Sequence, residues 1–120
     1  MAGAISSALN DLHDILASYK RTQQAEAITR LINCQSSDAS RFESLLTSDD
    51  LWRGLGAIWM VTLYESNTHT MEDVRNDERR FRDAIIRLVE AMVAEGIRNP
   101  EAEKVSKRLD AMNRFTNPAR

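Results

Sequence analysis

The sequence predicts an all-α protein: a single-domain bundle of five to six mostly antiparallel helices, with a buried central helix after a glycine turn. Three observations predict it. Apolar residues recur at three- and four-residue intervals over most of the chain, the spacing that gathers them on one helical face. Turn and cap residues punctuate that pattern, at Q-S-S-D (35–38), at S-D-D (48–50), and at Gly96 with Asn99-Pro100. The chain also holds no pair of alternating runs that could serve as partnered strands.

In chain order, Ile5, Ala8, Leu9, Leu12, Ile15, Leu16 and Tyr19 line one face of a first helix, with Asn10, Asp11, Asp14 and Lys20 off it. After K-R-T the pattern resumes at Ala25, Ile28, Leu31 and Ile32, a second helix expected to end near Asn33–Cys34. The short join implies a helical hairpin. Q-S-S-D then reads as a turn in which Ser37 or Asp38 caps a short third helix carrying Phe42, Leu45 and Leu46. S-D-D offers another cap, so Leu51 can begin a further turn.

The longest periodic segment runs from Met71 to Glu95. Val74, Phe81, Ile85, Leu88 and Met92 form its stripe, and Ile86, Val89 and Val93 widen it. Thr70 is the expected cap, with Glu72 and Asp73 placed to interact with the helix dipole. Glu78–Arg82 and Asp83–Arg87 are acid-before-base pairs four apart, which support an exposed helical face. Gly96 is a stop signal, and Asn99-Pro100 supplies a cap and a first-turn proline for a last helix. Its seam is Ala102, Val105, Leu109 and Met112; residues 115–120 read as a flexible tail beyond it, limited by Pro118.

At 120 residues the chain is long enough for one hydrophobic core, and residues 1–120 read as one domain. The composition is 42% hydrophobic and 28% charged, with a net charge of −2. Charges of both signs are interspersed, so neither a nucleic-acid footprint nor a polybasic membrane patch is present. R-N-D-E-R-R-F-R-D at 75–83 sets four arginines against three acids, which cancels most of its field. One cysteine, Cys34, excludes an internal disulfide framework and reads as a small hydrophobe at a helix end. The N-terminus lacks a basic start and a long apolar run, so no signal peptide is expected and the predicted location is cytoplasmic.

Catalytic, cofactor and metal sites are not expected. His13 and Asp14 are neighbours on a helix, pointing about 100° apart, and read as surface residues. Glu65 and His69 are too few for a structural zinc set, and S-N-T between them reads as loop. R-G-L-G-A at 53–57 lacks the third glycine and the βαβ setting of a dinucleotide loop, and the Gly-Lys-Ser/Thr of a Walker loop.

The unusual segment is L-W-R-G-L-G-A-I-W-M-V-T-L-Y-E-S at 51–66, which contains both tryptophans, two of the four glycines and one of the two tyrosines. The run of Ala57, Ile58, Trp59, Met60, Val61, Leu63 and Tyr64 is apolar on every side, which fits a helix buried all round or a short strand; with no second strand candidate, the helix is the expectation. Gly54 and Gly56 then allow a tight turn before it, or the close approach of a neighbouring helix. Trp52, Trp59 and Tyr64 cannot all point one way, and tryptophan and tyrosine dominate interface hot spots. The candidate partner-binding residues are therefore Trp52, Arg53, Trp59, Tyr64, Glu65 and His69. Trp52→Ala or Tyr64→Ala should weaken a partner and leave the thermal midpoint nearly intact. Loss of the fold instead would mark the residue as core.

L-W-R-G-L-G-A-I-W-M-V is similar to the L-(F/W)-G-G-x-G-S-(L/I)-x-D-(V/L) segment of an uncharacterised family of small bacterial all-helical proteins. The order of hairpin, loop and long helix agrees over roughly residues 8–95. Arg53 stands for the first glycine of the pair, Ala57 for the serine, and Met60 for an acid. The resemblance implies an immunity factor from a toxin gene neighbourhood, a non-enzymatic protein that occludes a cytosolic toxin. The competing expectation is a helical homodimeric adaptor or structural subunit, packed through the 51–66 segment or the 102–112 seam.

Overall fold

A computed structural model of the chain describes residues 3–52, 63 and 69–116, with the backbone alone described at 49–50 and 115–116; every regular element among them is a helix. They are α1 (Gly3–Ser18), α2 (Thr22–Ser37), α3 (Ala39–Leu46), the single turn α4 (Asp49–Trp52), α5 (Met71–Ala94) and α6 (Pro100–Thr116). The all-α expectation therefore holds for these residues. The helix expected over 57–64 lies outside them except at Leu63, where the backbone is not helical although the side chain is only 4% exposed. Burial alone does not decide between helix and other backbone for a short apolar run.

Two helices end in the same way with different residues. At the end of α5 the Gly96 amide donates to the Val93 carbonyl at 3.0 Å and the Ile97 amide to that of Met92 at 2.8 Å. Gly96 takes φ +80°, which a glycine adopts without a Cβ clash. At the end of α1 the Lys20 amide donates to Ala17 at 3.1 Å and the Arg21 amide to Leu16 at 2.9 Å. The hydrogen-bond pattern is the same, but the left-handed position (φ 58°) is held by Lys20, a residue with a Cβ.

The expected starts form as well. Thr70 accepts from the Asp73 amide while the Asp73 carboxylate accepts from the Thr70 amide, a reciprocal box that satisfies two donors at the head of α5. Asp38 accepts from the Arg41 amide at the head of α3. Asn99 accepts from the Ala102 amide at 3.1 Å, and its own amide donates to the Thr47 carbonyl at 2.8 Å, so the cap of α6 also ties it to the end of α3.

Four local expectations are corrected. Helix α2 continues through Ser37 rather than stopping at Asn33–Cys34, because the Ser37 hydroxyl bonds back to the Asn33 carbonyl and keeps the last turn closed. Helix α6 reaches Thr116, two residues into the expected tail; a proline at 118 restricts the residue before it and leaves 116 free to stay helical. The pairs foreseen within α5 form elsewhere. Arg87 reaches Asp11 on α1 at 2.7 Å, and Arg82 reaches Asn113 on α6 at 2.7 Å, because both point along helix–helix seams. His13 Nδ1 does come within 3.6 Å of Asp14, as the two side chains lean together, but that exceeds a hydrogen bond, and the half-buried His13 meets an exposed Asp14.

The core follows the predicted faces except at Val93, which was expected to widen the α5 stripe but is 37% exposed. Ile5, Leu9, Leu12 and Leu16 of α1, Ile28 and Leu31 of α2, and Ile85, Leu88 and Met92 of α5 are all nearly inaccessible. Ala102, Val105 and Leu109 of α6 are buried too, whereas Met112, the last residue of the expected seam, is 43% exposed. The ion pairs add little by comparison. Arg87–Asp11 joins side chains 47% and 42% exposed, and such a pair contributes at most about 1 kcal/mol. A buried leucine contributes about 1.5–3 kcal/mol by area alone. Packing wins.

Candidate functional site

Of the 51–66 segment the structure describes Leu51, Trp52 and Leu63, and beyond it the described chain resumes at His69, two residues before α5. At the entry, the single turn of α4 is set by the Leu51 amide bonding the Ser48 carbonyl at 3.2 Å. This turn carries Trp52 into the core, where it is 1% exposed and its indole Nε1–H donates to the Leu46 carbonyl at 2.7 Å. Leu46 ends α3, and the last carbonyls of a helix have no partner within it. The indole therefore supplies a missing hydrogen bond while burying its rings. Trp52, a candidate for the partner surface, belongs to the core.

At the exit, His69 immediately precedes the Thr70 cap of α5. Its Nε2 lies 2.8 Å from the Ser18 Oγ at the end of α1, and its ring stacks on Tyr19 with centroids 3.9 Å apart and planes 24° apart. The Tyr19 hydroxyl in turn donates to Asp77 Oδ2 at 2.7 Å, and Asp77 Oδ1 accepts from Arg80 at 2.9 Å. Five side chains thus form one connected cluster: Ser18 and Tyr19 at the end of α1, His69 just ahead of the cap of α5, and Asp77 and Arg80 of α5.

Electrostatics makes the phenol a fixed donor. Burial, then the hydrogen bond to Asp77 and the charges of Asp77, Asp73 and Glu78, push Tyr19 far above the ordinary value of a tyrosine. A serine 2.8 Å from an imidazole is two parts of a nucleophilic triad. The carboxylate of the cluster, however, gives one oxygen to Tyr19 and the other to Arg80, so it orients the phenol and not the imidazole. The arrangement fastens the head of α5 to the end of α1.

Of the other candidates, Arg53, Trp59, Tyr64 and Glu65 lie outside the described residues. Of the six candidates, His69 is half-buried against Ser18 and Tyr19, and Trp52 is internal. Sequence reasoning missed Ser18 and Asp77 and assigned Tyr19 only to the core face. The one available signal was a tyrosine in place of an aliphatic residue at the end of the α1 stripe; its partner lies 58 residues away, beyond any periodicity. Among the described residues, no group of three or more His, Cys, Asp or Glu is gathered as metal ligands, and no helix is long and apolar enough to cross a membrane.

No family model matches the chain, and no curated protein or solved structure matches it.

Proposed function

We propose that this chain is a non-enzymatic protein-binding domain of the immunity or antitoxin kind, which neutralises a cytosolic toxin by occluding it. The observation that carries this reading is that Trp52 and His69, the described residues that bracket most of the aromatic-rich segment, are both tied to the helices. Trp52 anchors its entry in the core, and His69 ties its exit to Ser18 and Tyr19. Hot-spot aromatics act best when their support is rigid, because less side-chain and loop entropy is lost on association. Arg53, Trp59, Tyr64, Glu65 and His69 are then the contact residues, and Trp52 is a core anchor that precedes them in the chain. The near-balanced charge suits a surface that is steered by local complementarity and held by aromatic area. The bundle is mostly antiparallel and works in the cytoplasm.

The homodimeric alternative loses one of its two surfaces. Ala102, Val105 and Leu109 of the 102–112 seam pack inside the chain, which leaves only Met112 of that seam outward. Native mass measurement tests the proposal. A monomer near 13.6 kDa that forms a one-to-one complex with the product of the adjacent gene supports it. A salt-resistant homodimer indifferent to that product overturns it.

A further inference from the structure

We draw no further inference here: the strongest candidate, the open groove of about 420 Å³ between α1 and α5 lined by Ala4, Ser7, Arg87, Glu90 and Ala91, carries nothing because its arginine already pairs with Asp11 and nothing in the structure shows what covers it.

Discussion

Replacing Trp52 separates a core anchor from an interface residue. Trp52→Ala removes a side chain that is 1% exposed and leaves a cavity beneath α4. Truncations of that size cost about 3–5 kcal/mol, a large share of the roughly 5–15 kcal/mol that holds a domain together. Unfolding entropy near the midpoint is about 2.1 cal/mol/K per residue, or roughly 0.25 kcal/mol/K for a chain of this length, so the midpoint should fall by about 12–20 °C. Trp52→Phe keeps most of the apolar volume but leaves the Leu46 carbonyl without its 2.7 Å donor. An unsatisfied buried acceptor costs about 1–3 kcal/mol, which corresponds to roughly 4–12 °C. Thermal and urea unfolding followed by far-ultraviolet circular dichroism reads both. A midpoint for Trp52→Ala within about 2 °C of the parent would refute the reasoning, and would return Trp52 to the rim of a partner surface.

Other perturbations have definite signs. Lys20→Gly should raise stability by up to about 1 kcal/mol in urea titrations, by relieving the left-handed backbone at φ 58°. Gly96→Ala should lower it by about as much at φ +80°. Thr70→Ala should cost about 1 kcal/mol through the lost cap, while Thr70→Ser should be near neutral. The Thr70 amide and hydroxyl hold the Asp73 carboxyl below its ordinary value. A depressed carboxyl contributes stability above its unfolded value of about 4 and loses it as pH falls through the lower folded value; Asp73→Asn should therefore flatten that acid limb of the stability–pH curve. A double-mutant cycle on Tyr19→Leu and His69→Ala should show a coupling of about 0.5–1.5 kcal/mol for the stacked pair, and additivity would deny that the stack matters.

How much of this was legible in the sequence depends on the range of the interaction. Helix positions came from spacing, so Ile5 through Leu16 and Val74 through Met92 fell on the faces that the structure buries. Caps are local chemistry, and Thr70, Asp38 and Asn99 could be read within three residues of what they bond. Boundaries were less legible where a side chain such as Ser37 could serve either as turn former or as internal hydrogen-bond donor. Arg82 and Arg87 illustrate a different limit. Spacing offered each an acid four residues away, but the packing of α5 against α6 and α1 offered better-placed partners. The cluster of Ser18, Tyr19, His69 and Asp77 joins residues more than fifty positions apart, and only the fold brings them together. Trp52 combined both problems: its aromatic type fits an interface as well as a core, and only the depth of α4 decided between them.

The central claim, that the aromatic segment between Trp52 and His69 binds a protein partner, is tested most directly by titrating Tyr64→Ala against the product of the adjacent gene in a calorimeter, with its thermal midpoint measured alongside. The account predicts a loss of at least about 2 kcal/mol in binding, roughly thirtyfold in affinity, with a midpoint close to that of the parent. Unchanged affinity at an unchanged midpoint, or no complex with the parent chain at all, would contradict it.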